Sequence, residues 1–291
     1  MSPQLSVIIP THNRADILAK CLAHLAKQTI AENIEVIVVS DTNNPATTEL
    51  CTQPSALNPL PPHFRFIEIP PCQQGTARNR GVAIATAPAC FFIGDDIFLK
   101  EDCCALHESI HRNMQKPVAV LGSIGWDPDV GITPVMEWLA MSGWQFGYPS
   151  IERYAGDFLP KSIQHQFSYA SNISVPTEIA RRIPFLEDIS LYGWEDIEWG
   201  ARLRDAGIPL FFAPDARALH HHTMTLEESL RRMETLGASV VKMESITPGF
   251  DRRPRGWKLL AYKVFAGFPT MSGKHRAAFL RGMNKAMSDE E

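Results

Sequence analysis

Unbroken apolar runs alternate with amphipathic stretches through the first hundred residues. Leu5 to Pro10 and Ile34 to Val39 are largely apolar, the pattern of strands buried on both faces. Between them Ile17, Leu18, Cys21, Leu22 and Leu25 recur at helical spacing, which predicts a helix from about Asp16 to Gln28. A strand, a helix and a second buried strand in that order predict a parallel sheet covered on both faces. The Pro-, Thr- and Asn-rich stretch from Asn43 to Pro62 reads as loop with a little helix. Phe64 to Ile69 reads as a third strand, Gly75 to Ala87 as a helix, Phe91 to Ile93 as a fourth strand and Leu99 to Met114 as a helix.

The second half is less regular. Val118 to Ile124 reads as a strand, and the Gly-, Pro- and aromatic-rich region from Trp126 to Gln166 has no clear period. Phe167 to Val175 alternates like a strand, and a short helix starts at Ile179. Glu195 to Ala206 reads as a helix, with Gly207 placed to end it. Ile208 to Ala213 and Ala216 to His222 read as extended, and Leu226 to Glu244 as a helix.

Composition changes this picture little. The 291 residues carry 45% apolar and 21% charged side chains, as ordinary soluble domains do. A net charge of −4 gives no general bias toward nucleic acid, and nucleic acid is not an expected partner. No run approaches the roughly 20 apolar residues of a membrane span. The start of the chain has no signal-peptide pattern, and the six cysteines show no CxxC spacing, so the expected setting is cytoplasmic with reduced thiols.

The candidate chemistry lies at the ends of the predicted strands. The apolar run Phe91-Phe92-Ile93-Gly94 ends in Asp95 and Asp96, a costly place for two negative charges without a positive partner. Two readings fit: aspartates at a helix start, or oxygen ligands of a divalent cation that also takes phosphate. Thr11 and Asp41 end earlier strands on what would be the same rim, as turn residues or as contacts to a bound nucleotide. Arg78 and Arg80, on the helix before the aspartates, are either solvated or set to meet phosphate. Three acids (Glu195, Asp196 and Glu198) open a helix in the stretch Tyr192 to Gly200, where the helix dipole favours negative charge. A carboxylate there can also act as a general base, and Trp194 as core filler or a sugar-stacking platform. In His220-His221-His222, strand alternation puts His220 and His222 on one face and His221 on the other. These are solvated imidazoles or ligands that favour a transition metal such as Mn²⁺.

Taken in order, these residues resemble glycosyltransferase family 2. The resemblance runs from about Leu5 to Arg232. It is carried by Leu5-Ser6-Val7-Ile8-Ile9-Pro10-Thr11-His12-Asn13-Arg14, Val38-Val39-Ser40-Asp41, Gly75-Thr76-Ala77-Arg78-Asn79-Arg80-Gly81, Phe91-Phe92-Ile93-Gly94-Asp95-Asp96, Ala170-Ser171-Asn172-Ile173-Ser174-Val175 and Gly193-Trp194-Glu195-Asp196-Ile197-Glu198. The resemblance implies an α/β GT-A fold, Rossmann-like, with a mostly parallel central sheet flanked by helices and a helical C-terminal extension. It implies a nucleotide-sugar-binding half (1–115), an acceptor-binding and catalytic half of the same domain (116–245) and a basic, aromatic extension (246–291).

It further implies an inverting hexosyl- or N-acetylhexosaminyltransferase that uses Mn²⁺ or Mg²⁺ and a nucleoside-diphosphate sugar, with UDP as the expected carrier. The acceptor would be a hydroxyl of a glycan or a lipid-linked glycan. By this resemblance Asp196, with Glu195, is the catalytic base, and Asp96, His220 and His222 bind metal. Pro10, Thr11, Asn13, Arg14, Asp41, Arg78, Arg80 and Asp95 bind the donor; Asn172 and Trp194 bind the acceptor. Gly94 stands where the family's metal motif has its first acid, and Ser40 where many relatives have another Asp.

The competing expectations are a nucleotidyltransferase that makes sugar nucleotides and a carbohydrate-binding protein without turnover. The first would want a glycine-rich loop after the first strand, which Thr11-His12-Asn13-Arg14 lacks; no GxGxxG supports a dehydrogenase. The tail from Arg252 to Lys285 holds nine Lys or Arg and no acid, interleaved with large apolar residues. It reads as a helix packed on the domain or as a peripheral contact with the inner face of a membrane.

Overall fold

The structure, a computed structural model, describes residues 2–53, 60–187, 193–247 and 249–289. Strand β1 (Leu5–Thr11), helix α1 (Ala15–Ala26), strand β2 (Ile34–Ser40) and helix α2 (Pro45–Thr52) open the chain. Strand β3 (His63–Glu68), helix α3 (Gln74–Ile84), strand β4 (Ala89–Phe92), strand β5 (Ile97–Leu99) and helix α4 (Cys103–Asn113) follow. Then come β6 (Ala119–Trp126), α5 (Pro134–Ser142), β7 (Asp157–Phe158), β8 (Ile173–Pro176) and α6 (Thr177–Arg182). The chain continues through α7 (Glu195–Asp205), β9 (Leu210–His220), α8 (Leu226–Ile246), α9 (Gly256–Ala266) and α10 (Met271–Asp289).

Among the described residues one sheet runs in the order β3-β2-β1-β4-β8-β6-β9-β5, with β7 paired to β9. β3, β2, β1 and β4 pair in parallel, as do β6 and β9. β8 lies antiparallel between β4 and β6, so the two parallel groups point the same way. β5 and β7 run against β9. Six strands therefore share one direction, and the fold is α/β with a mostly parallel sheet. Every position of β1 and β2 is buried, as their continuous apolar sequence requires. Val7 and Ile9 pack on one face with Leu18, Leu22 and Leu25 of α1; Ile8 packs on the other with Val82 of α3 and Trp199 of α7.

Two predicted elements differ. Leu99 belongs to β5, a three-residue buried strand that pairs with β9, and the helix starts only at Cys103. So short a run carries no period that sequence could reveal. The strand expected over Phe167 to Val175 begins at Ile173, because Tyr169 and Asn172 close a turn (Asn172 N–H to Tyr169 C=O, 3.1 Å). Its buried Phe167 and Ala170 fill the core from that turn and imitate strand alternation.

Helices α8 and α10 form a further layer with its own apolar core, from Val240, Val241, Phe279, Leu280 and Met283. The two backbones meet at glycines: a Cβ on Gly237 would collide with the carbonyl of Phe279, and one on Gly282 with that of Glu234. Gly282→Ala is therefore expected to destabilise the fold by about 1–3 kcal/mol through overpacking. A lowered urea midpoint at unchanged slope is the readout; an unchanged midpoint would show that the helices can part freely.

Candidate active site

At the carboxyl edge of the sheet, the ends of β1, β2 and β4 open into a cavity of about 640 Å³. Crevices at this edge are where open α/β sheets bind ligands. Pro10, Thr11 and Arg14 reach it from the end of β1, Asp41 from the end of β2 and Arg78 from α3. Asp95 and Asp96 enter from the turn between β4 and β5, and Trp194, Glu195 and Asp196 from the start of α7. His220 and His222 come from the end of β9, and Arg232 from α8.

The two adjacent aspartates are neutralised unequally. Asp95 is 3% exposed. It accepts a hydrogen bond from Thr11 Oγ1 (2.7 Å) and pairs closely with the Arg14 guanidinium. Burial raises its pKa despite Arg14. Arg14 Nη2 also reaches Asp96 Oδ2 at 3.0 Å, so one guanidinium bridges both acids. The pairing of Ile97 with His220 across β5 and β9 brings the imidazole to Asp96 as well, with Nε2 3.6 Å from Oδ2. Burial opposes charge on Asp96, but His220 and Arg14 outweigh it and hold the carboxyl well below its ordinary pKa. A Cβ at position 94 would lie 2.9 Å from Asp96 Oδ1, so Gly94 leaves room for this carboxylate.

His220 is clamped between Trp126 and His222, its ring centroid 5.2 Å and 5.5 Å from theirs. Its Nδ1 is buried without a hydrogen-bond partner among the described residues. His221 faces away, bonded to Asp127 Oδ2 at 2.7 Å. Among the described residues no three His, Cys, Asp or Glu side chains form a closed metal cage. A cation that also takes phosphate oxygens needs only one or two protein carboxylates. The ionised Asp96, with His220 Nε2 3.6 Å from its Oδ2, fits such a cation, and Asp96 and His220 are the residues that could hold it.

A second acid faces the cavity from α7. Asp196 Oδ2 accepts the Ala170 N–H at 2.9 Å, while Oδ1 makes no hydrogen bond among the described residues. Arg78, 3% exposed, bonds Gln74 through Nη2 and leaves Nε and Nη1 without hydrogen bonds; Nη1 is 3.7 Å from Asp196 Oδ1. Burial, against the pull of Arg78 and with the push of Glu195, raises the Asp196 carboxyl to about 6. An acid poised there can exchange a proton near neutral pH. Glu195 Oε2 accepts the Gly193 N–H at 2.8 Å, and Trp194 Nε1 donates to the Leu236 carbonyl at 3.0 Å.

Three expected contacts are not made. Asn172 is fully buried; its side chain donates to the Ser123 and Ala216 carbonyls and meets His107 Nε2 at 3.0 Å. It holds β6, β9 and α4 together and does not reach the acceptor side. Arg80 points out of the cleft toward Glu187, 3.4 Å away, because it lies two residues from Arg78 on the helix. Asn13 takes the left-handed turn after β1 (φ 54°) and accepts from Asn44 Nδ2, shaping the loop without lining the cavity. Tyr192 lies outside the described residues. The sequence reading missed His12, which bonds Asp41 (2.7 Å), and the wall of Trp144, Gln145, Tyr169 and Arg232. His12 stood inside the β1 turn motif and was findable; the others come from segments with no local signature.

Residues 6–152 match the family described as Glycosyl transferase family 2. The chain is 30% identical over 225 residues to validoxylamine A glucosyltransferase of Streptomyces hygroscopicus subsp. jinggangensis, covering 72% of this chain and 53% of that protein. It is 28% identical over 231 residues to glycosyltransferase AglE of Haloferax volcanii, covering 75% of this chain and 67% of that protein. The chain thus spans about half the length of the validoxylamine A glucosyltransferase it matches. Among solved structures it superposes on mannosyltransferase PcManGT from Pyrobaculum calidifontis in complex with GDP-Man and Mn²⁺. The TM-score is 0.62 at 16% identity, over 100% of this chain and 89% of that one. It also superposes on S. aureus TarS 1–349 in complex with UDP-GlcNAc, with TM-score 0.55 at 14% identity, over 99% and 91%. At these identities the likeness is one of fold.

Proposed function

The chain belongs to glycosyl transferase family 2, and from that premise we propose that it moves a sugar, with inversion, from a nucleoside-diphosphate donor to a hydroxyl of a glycan or lipid-linked acceptor. The observation that carries this reading is Asp196, whose Oδ1 makes no hydrogen bond among the described residues and which faces the same cavity as the Asp95–Asp96–Arg14 cluster. One part of the cleft is suited to a diphosphate and another to a proton.

The nucleoside lies toward Asp41 and His12, and the diphosphate toward Arg14 and Arg78. A divalent cation, Mn²⁺ or Mg²⁺, held by Asp96 with His220, would act as a Lewis acid that neutralises the leaving diphosphate. Asp196 Oδ1 takes the proton from the acceptor hydroxyl. The hydroxyl oxygen bonds to the anomeric carbon as the bond to the diphosphate oxygen breaks, and that oxygen keeps the electron pair. Arg78, buried and with two nitrogens that make no hydrogen bond among the described residues, opposes the negative charge as it moves to the diphosphate. Trp194 and Trp144 offer faces for the acceptor sugar. A uridine carrier is the base implied by the family resemblance, and we adopt it.

The test is a panel of nucleotide-sugars, each assayed for thermal stabilisation with and without Mn²⁺ and for the product released. A bound ligand raises apparent stability by mass action. A UDP-sugar that stabilises with Mn²⁺ and releases nucleoside diphosphate is the expected result. Release of pyrophosphate would indicate a nucleotidyltransferase, and stabilisation without release a binding protein.

A further inference from the structure

The C-terminal helices carry an apolar surface that sugar transfer does not use. Five of the nine large apolar side chains exposed among the described residues lie between Trp257 and Phe268. They are Trp257 (76% exposed), Leu260 (65%), Val264 (55%), Phe265 (53%) and Phe268 (52%). On α9 the spacing of Trp257, Leu260 and Val264 sets them on one helix face, with Phe265 at its edge. Leu259, Tyr262 and Ala266 take the opposite face and pack on the core of α8 and α10. The helix is thus apolar on the side that meets solvent as well as on the side that meets protein. Lys258 and Lys263 flank the exposed face on its two sides, and among the described residues neither forms an ion pair.

We propose that α9 docks on an anionic phospholipid bilayer, its exposed apolar side chains entering the headgroup layer and Lys258 and Lys263 meeting lipid phosphates. Aromatic and aliphatic residues on one face with lysines at its margins are what an interfacial helix requires. Among the described residues no helix is long and apolar enough to cross a membrane, so the contact is of a helix lying in the interface. The charge of the segment selects the partner. A two-fold contact between copies of this face would bring Lys258 and Lys263 against their own counterparts, whereas an anionic surface complements them.

The position of the face deepens the proposed function, on which this last step rests. The Arg276 guanidinium lies 5.5 Å from the Phe265 ring, 5.4 Å from Tyr262 and 5.2 Å from Trp144, which lines the cleft. One guanidinium therefore lies against both Phe265, at the edge of the docking face, and Trp144, which lines the cavity. An acceptor anchored in the same bilayer could present its hydroxyl to Asp196 without leaving the membrane.

The experiment is co-sedimentation of the full chain with vesicles of phosphatidylcholine alone and of phosphatidylcholine with roughly one-third phosphatidylglycerol. Sedimentation with the anionic vesicles only, weakened by added salt, is expected. A Trp257→Ser/Leu260→Ser/Phe265→Ser variant and a Lys258→Glu/Lys263→Glu variant should each lose at least roughly tenfold in partitioning. Both should keep the wild-type thermal midpoint and its shift with donor, which separates failure of docking from failure of the transferase reading. Absence of wild-type binding, or equal binding by the variants, overturns the proposal. So does a dimer, seen by light scattering, that the triple serine variant dissolves, since a second copy would then own the face.

Discussion

Replacing Asp196 with Asn is expected to lower the rate of sugar transfer by roughly 10²- to 10⁴-fold, the usual contribution of a positioned general base. The amide oxygen can still accept the Ala170 N–H, so the start of α7 should keep its place. Donor affinity should change little, since the Asp95–Asp96–Arg14 cluster is untouched. The wild-type pH profile should carry the same signature. As the proposed base, Asp196 would work only when ionised, and burial raises its pKa to about 6. Turnover at saturating donor should therefore fall about tenfold per pH unit below that value and level off above it, as expected for one essential ionisation. Loss of the limb in the residual activity of Asp196→Asn would assign it to this residue. Full activity in the variant would remove the base from the mechanism.

Asp96→Ala should act on binding instead. Its carboxylate stays ionised because His220 and Arg14 outweigh the cost of its burial. Loss of that charge removes the one acid of the pair that is not sunk into the fold. Even changes to residues behind a metal ligand commonly cost 10- to 100-fold in metal affinity, so roughly that loss or more is expected in the Mn²⁺-supported affinity for donor. The metal-independent part should survive through Arg14 and Arg78. Calorimetric titration of UDP with and without Mn²⁺ separates the two parts. An unchanged Mn²⁺ dependence would place the cation elsewhere. Asp95→Ala should behave differently: Asp95 is buried and holds Thr11 and Arg14, so it should cost fold stability along with binding.

The contrast between the two aspartates illustrates how far sequence could go. That two strands lead to acids was legible, because β2 and β4 are largely apolar runs with an abrupt polar stop. Which acid turns inward was not, since it depends on Thr11 and Arg14 arriving from β1. Spacing placed Arg78 and Arg80 together, yet their separation on α3 sends one to Asp196 and the other to Glu187. Asn172 looked available and is consumed by the buried contacts among β6, β9 and α4. Alternation correctly separated His221 from its two neighbours, because β9 is extended up to His220. The Trp144 wall and Arg232 had no local pattern to betray them; Arg232 meets Gln145 only through the long-range packing of α8. Local periodicity reports strands and helices, whereas side-chain burial at a cleft is set by residues far apart in the chain.

Asp96, in the turn after β4, and His220, at the end of β9, are proposed to hold one cation beside the leaving diphosphate. Anomalous scattering from crystals grown with UDP and Mn²⁺ tests it most directly. A manganese peak within bonding distance of an Asp96 oxygen, with His220 beside it and Asp196 apart from it across the cavity, is the predicted result. A peak coordinated by other side chains, or ordered UDP whose phosphates lie away from Asp96 and Arg14, would contradict it.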